Sequence, residues 1–202
     1  MNKQNNKIHM RKILAKEAAR IILENGIQDY GLAKRKAAQR HGVDSMSILP
    51  RNIEIENSIL EWHNNVDKNN TIGHLVEMRC LALKIMGIVK DFSPRLVGSV
   101  YSGSASFNSP VEIHVFTDVI EDLIIILEKE NLQFKNFQKR YQFHGKSRFN
   151  IPGFSFAIED IVIHLMVFGK KSEHNPPLSP IDRRPMKGIG RIKLLSLMNK
   201  GI

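Results

Sequence analysis

The sequence predicts an α+β fold, with N-terminal helices followed by a β-sheet with flanking helices, and three observations predict it. Up to Pro94 the apolar residues recur at the three-and-four spacing of amphipathic helices. From Val111 to Phe116 they alternate, the period of a strand. Phe154 to Ala157 and Ile161 to Phe168 are then two apolar runs around Glu159-Asp160, the pattern of a hairpin.

Taken in order, residues 1–10 are polar and predict a frayed end. From Arg11 to Asn25, Ile13, Leu14, Ala18, Ile21 and Ile22 line one side of a helix that Gly26 closes. Asp29 is placed to cap a second helix through Ala33 and Ala37, ended by Gly42. Pro50 marks a third start, with Ile53, Glu56, Ile59 and Leu60 as a narrower stripe to Trp62, and residues 64–70 read as a solvated connection. A fourth helix is expected from Thr71 to Lys90, with Leu75, Met78, Ala82, Ile85, Met86 and Val89 on one face, before Pro94 forces a break.

Beyond the break, Arg95 to Val100 reads as a short strand and Ser102 to Ser106 as a small-residue turn. On the strand from Val111 to Phe116, Val111, Ile113 and Val115 face one way and Glu112, His114 and Phe116 the other. Asp118 and Glu121 open a helix through Leu123, Ile124 and Leu127 to Glu130. Residues 134–143 form one or two strands, Lys170 to Arg184 a loop rich in proline and charge, and Ile189 to Met198 a last helix. The domain reading is a basic helical segment over 1–66 and a second domain over 71–202 that ends in that loop and helix.

Composition narrows the classes of function. With 202 residues of which 42% are hydrophobic, the chain can build a real core. Its formal net charge of +10 favours anionic partners such as nucleic acid or nucleotides. The single cysteine, Cys80, excludes an internal disulfide and a thiolate zinc site; lying in an apolar helical stretch, it reads as a buried inert thiol of a cytoplasmic protein. No apolar run is long enough to span a bilayer, and Lys16, Glu17, Arg20 and Glu24 interrupt any signal-peptide core.

The residues that carry chemistry sit on the predicted strand. Glu112 and His114 are two apart and so share a face, where they could hold a metal or act as acid and base. The bland alternative is a pair of polar residues on the solvent face of a half-exposed strand. If strand order brings His164 alongside, two imidazoles and a carboxylate form a donor set for a transition metal. Ser104 lacks the flanks of a nucleophile elbow. Arg183-Arg184 either bind an anion or lie in an exposed loop.

The order strand, Gly-Ser, helix, strand with two polar residues two apart resembles the nucleotidyltransferase superfamily of DNA polymerase beta, CCA-adding and antibiotic-modifying enzymes, over roughly Thr71 to Phe168. In that family an apolar residue and Gly-Ser end the first strand, as Leu96-Val97-Gly98-Ser99 does here. Two carboxylates one residue apart then stand on the next strand, where this chain has Val111-Glu112-Ile113-His114-Val115, and a third comes from a later strand, for which Ile161 to Phe168 is the candidate. The resemblance implies a nucleotidyltransferase-like mixed sheet and transfer of a nucleotidyl group from a nucleoside triphosphate to RNA or a small acceptor. Gly98 and Ser99 would hold the triphosphate, Glu112 and His114 would be catalytic, and Glu112, His114 and His164 would hold a divalent metal, magnesium or a transition metal. The departures fall on that metal site: a glutamate stands for the first aspartate and His114 for the second carboxylate, whereas magnesium wants hard oxygen ligands.

The chain is also similar to short bacterial proteins known only as nucleotidyltransferase-like. The matching stretches are Ile27-Gln28-Asp29-Tyr30 running into Ala33-Lys34-Arg35-Lys36-Ala37-Ala38, Leu49-Pro50, Val97-Gly98-Ser99, Gly103-Ser104-Ala105 and Leu178-Ser179-Pro180. This similarity covers nearly the whole chain, makes His114 a feature of the group, and supplies no reaction. The alternative function is therefore a non-catalytic RNA- or ribonucleoprotein-binding protein on a degenerate core. For it, Lys34, Arg35, Lys36 and Arg40 of the second helix are the candidate phosphate contacts. Lys135, Lys139, Arg140, Lys146 and Arg148, interleaved with Phe137, Tyr141, Phe143 and Phe149, form a second basic stretch whose aromatics either stack on bases or belong to the core.

Overall fold

The computed structural model describes residues 3–65, 68–145 and 147–199. Lys146 and positions 66–67 of the expected connection lie outside the described residues, as do positions 1–2 of the expected frayed end. The fold is α+β, as the periodicities predict, and the chain divides into two compact units, Met1–Thr71 with Pro180–Asp182, and Ile72–Ser179 with Arg183–Ile202.

The first unit is helical: α1 (Lys3–Asn25), α2 (Tyr30–Arg40) and α3 (Asn52–Asn65). Helix α1 starts well before Arg11, because nothing in Lys3 to Met10 breaks a helix, so the expected fraying is not seen there. The Asp29 carboxylate caps α2 as expected, accepting from the amides of Gly31 at 2.7 Å and Leu32 at 3.1 Å. Leu14, Ala18 and Ile21 of α1, Ala33 and Ala37 of α2, and Ile55 and Ile59 of α3 form one buried cluster. Glu56, placed by its spacing on the apolar stripe, is indeed buried and accepts a hydrogen bond from the Tyr30 hydroxyl.

The second unit is a sheet with helices on one face. Helix α4 (Lys68–Ile88) begins before Thr71, and Asn64-Asn65 remain in α3, so both ends of the expected connection are helical instead. A 3₁₀ turn at Lys90–Phe92 precedes the break at Pro94. Then follow β1 (Arg95–Val97), α5 (Gly98–Ser102), β2 (Val111–Phe116), α6 (Ile120–Lys129), β3 (Lys135–Gln142), β4 (Arg148–Ile158), β5 (Ile161–Phe168) and α7 (Arg191–Asn199). The strand expected over Arg95 to Val100 stops at Val97, because Gly98 at φ +70 turns the chain into α5.

The strands lie in the order β1-β2-β5-β4-β3, with β2 and β5 parallel and the other neighbours antiparallel. Met78, Ala82, Ile85 and Met86 of α4, with Leu123 and Leu127 of α6, pack with Ile113 and Val115 of β2 and Leu165 of β5 in the main core. On that account Cys80 points outward and is exposed rather than buried: it lies about 200° around α4 from Met78, at 100° per residue.

The opposite face is closed by the sheet itself. Strand β4 pairs with β5 only from Gly153 to Ile158, while its earlier residues pair with β3 alone. A side chain at Gly153 would meet the Leu165 carbonyl oxygen at 2.4 Å, so only glycine permits the close approach there. Past that point the β3–β4 hairpin curls over the sheet, and Tyr141 and Phe143 join Phe116, Met166 and Phe168 in a second buried cluster.

Candidate functional site

Register brings the motif residues together. Val97 is paired with Glu112 across β1 and β2, and Glu112 with His164 across β2 and β5. A β-carbon on Gly98 would lie 3.8 Å from the Glu112 β-carbon, so the Gly-Ser turn sits directly on the glutamate. Within that turn, the Ser99 carbonyl accepts the Gly103 amide at 2.8 Å and the Ser102 hydroxyl at 3.3 Å. Arg79 of α4, itself buried, donates to the carbonyls of Val100 at 3.2 Å and Tyr101 at 3.4 Å, fixing the end of α5.

Glu112 and His114 are not on a solvent face: they are 5% and 3% exposed. The flanking strands cover them from the sides, and the curled hairpin covers them from above. From β3, Lys139 Nζ donates to Glu112 Oε2 and the Tyr141 hydroxyl donates to Oε1. His114 Nε2 stands 3.4 Å from Oε1 and 3.2 Å from the Tyr141 oxygen. The His114 ring is further held by Phe168, centroid to centroid 4.5 Å. His164 turns to Phe137 instead, stacking on it at 4.1 Å with the rings 22° apart.

Electrostatics follow from this packing. Burial alone would raise the Glu112 carboxyl; the Lys139 charge and the hydrogen bonds from His114 and Lys139 outweigh it and hold the group well below the usual carboxylate range. Burial and the neighbouring Glu112 charge push the Tyr141 phenol up, which keeps it a donor. Burial lowers His164, against the pull of Glu112 and with a push from Lys139.

Both depressed groups act on stability in one direction. Their folded pKa values lie below the unfolded 4.5 and 6.5, so the unfolded chain takes up more protons as pH falls. Stability is therefore expected to be full above pH 6.5, to decline first through His164 and then, below pH 4.5, more steeply through Glu112. Urea midpoints measured across that range check this, and Glu112→Gln should flatten the lower leg.

A divalent cation does not fit this arrangement. Among the described residues no group of three His, Cys, Asp or Glu side chains is assembled to hold a metal. Glu112 offers the one carboxylate, both of its oxygens are engaged from within the chain, and an ammonium lies where a dication would have to approach.

The basic helix is only partly available. Lys34 donates to the Pro50 carbonyl at 2.9 Å and to Asn52 Oδ1 at 2.7 Å, so it ties down the start of α3. Arg40 pairs with Glu17 at 2.8 Å. The hydrogen bond from Arg20, opposed by burial and supported by Arg40, holds Glu17 down at about 2. Arg35 and Lys36 are exposed. In the second basic stretch, Tyr141 and Phe143 are core residues, whereas Lys135, Arg140, Arg148 and Phe149 are exposed. Arg183 donates to Gln142 Oε1 at 2.7 Å.

Sequence reasoning missed Lys139 and Tyr141 as partners of Glu112. The available signal was their two-residue spacing, which puts both on one face of β3, in a stretch read only for its charge and aromaticity.

No protein-family model and no curated protein matches the chain. Among solved structures, a chain described as "structure of GLD-2/RNP-8 complex" aligns with it at a TM-score of 0.33 and 18% sequence identity, over 58% of this chain and 48% of that one. This chain thus spans about half the length of that structure.

Proposed function

We propose that the chain is a non-catalytic RNA-binding protein on a nucleotidyltransferase-like ground plan. The observation that carries the first half is the closure of Glu112 by Lys139 and Tyr141: the carboxylate that would grip a metal is neutralised by a side chain. What supports the second half is a net charge of +10 with exposed cations at Arg35 and Lys36, and at Lys135, Arg140 and Arg148 on the outer strands. Glu112, His114, Lys139 and Tyr141 then act as an internal brace that holds the β3–β4 hairpin, and Gly98 serves close packing on Glu112 rather than a triphosphate.

The test is binding of fluorescently labelled single-stranded RNA followed by anisotropy over a salt series. Binding should weaken with salt. The Arg35→Ala/Lys36→Ala double variant should weaken it further and lower the salt slope by roughly 0.7 for each phosphate it no longer neutralises. Absence of RNA binding at moderate salt would sink the RNA reading. Magnesium-dependent incorporation of nucleotide that is abolished in Glu112→Gln would restore the transferase reading in its place.

A further inference from the structure

A concavity of about 350 Å³ lies in the second unit between the end of α4, β1 and the start of α7. Lys90, Arg95, Arg191 and Lys193 contribute to its wall, and Glu173 is the one acid among the lining residues. That acid is already engaged, its Oε1 lying 3.2 Å from Arg95 Nη2. Three cations are left facing a shared space without a carboxylate in the lining to offset them.

The wall is built to bring the guanidinium groups in. Arg191 lies across Gly87, where a β-carbon would stand 3.5 Å from its Nε, and that Nε donates to the Leu83 carbonyl at 3.4 Å. Arg95 lies equally close to Gly190, whose β-carbon would meet Nη1 at 3.3 Å. Met86 and Pro94 form a buried floor behind them, and the four cations themselves are exposed.

We propose that this groove binds a phosphate-bearing ligand. A guanidinium such as that of Arg191 matches two phosphate oxygens at once, and Lys90 and Lys193 add point charges. A phosphate monoester carries about −1.5 to −2 near neutral pH and so offsets the surplus better than one carboxylate. The ligand can be a free polyphosphate or the phosphorylated end of an RNA. The site uses none of Glu112, His114, Lys139 and Tyr141 and does not depend on the RNA reading.

Calorimetric titration with inorganic pyrophosphate tests the site, and single-stranded RNA with a 5′-phosphate or a 5′-hydroxyl distinguishes the sources. Wild type should bind pyrophosphate, with at least tenfold weaker affinity in Arg191→Ala/Lys193→Ala and a smaller decrease in Lys90→Ala. The control pair Lys7→Ala/Lys12→Ala, which removes the same charge from α1, should leave pyrophosphate affinity unchanged. Thermal unfolding without ligand verifies that the variants are folded. A 5′-phosphate preference that disappears in the double variant assigns the groove to RNA ends; pyrophosphate binding without that preference assigns it to free phosphates. Wild type that ignores pyrophosphate, or binds it no better than the folded double variant, overturns the site, and RNA binding that persists in that case leaves the RNA reading standing.

Discussion

Replacing Lys139 by methionine is expected to destabilise the second unit by about 3 kcal/mol at neutral pH. Breaking a buried ion pair by removing one partner costs about 3–5 kcal/mol, because the remaining charge is left without compensation. The lower end applies here, since the Lys139 side chain is 40% exposed while that of Glu112 is 7% exposed. The destabilisation should shrink as pH falls toward the point where the orphaned Glu112 protonates. Glu112→Gln in the same background should recover most of it, because an amide needs no cation. Urea denaturation of the two single variants and the double variant measures the coupling directly. A change under about 0.5 kcal/mol, the size of an exposed pair, would mean that Lys139 and Glu112 form only a surface ion pair.

The second large effect is expected at Gly153. Alanine there would put a β-carbon 2.4 Å from the Leu165 oxygen and 3.1 Å from Met166 Cα, both backbone atoms that cannot swing aside. Overpacking of this kind costs about 1–3 kcal/mol and sometimes more, and a clash with strand backbone belongs at the top of that range. Valine should be worse than alanine. Because the clash sits where the β3–β4 hairpin curls away from β5, the damage should reach the Glu112 brace, and the tyrosine near-ultraviolet signal should change along with the unfolding midpoint. An alanine variant as stable as wild type would show that the curl does not depend on the close approach.

Much of this fold is legible in the sequence because each element is specified locally. Asp29 caps α2, the apolar residues from Leu75 to Val89 mark the inner face of α4, and Glu159-Asp160 turn the hairpin between β4 and β5. Helix ends are less legible. Lys3 to Met10 and Lys68 to Asn70 carry too few apolar residues to show a period, yet contain no breaker, and helices run through them.

The site is legible only in part, for a different reason. The placing of Gly98 beside Glu112 follows from the local β1–α5–β2 connection, whereas that of Glu112 beside His164 depends on a strand order that the sequence leaves open. The capture of Glu112 by Lys139 and Tyr141 depends on a hairpin curling back over two intervening strands, and no periodicity encodes such a meeting. For the same reason Glu112 and His114, alternating as on a strand with one wet face, are buried. Lys34 repeats the lesson on α2: its position in a basic run says solvent, while its ammonium is held by Pro50 and Asn52.

Everything proposed for the Glu112 site rests on Lys139 standing where a dication would otherwise be held. Calorimetric titration of manganese into wild type, Glu112→Gln and Lys139→Met tests this most directly. Identical isotherms are expected for wild type and Glu112→Gln, and Lys139→Met, which leaves Glu112 as the one carboxylate with an oxygen still held by Tyr141, is expected to add at most a weak event. Manganese binding by wild type that disappears in Glu112→Gln would contradict it.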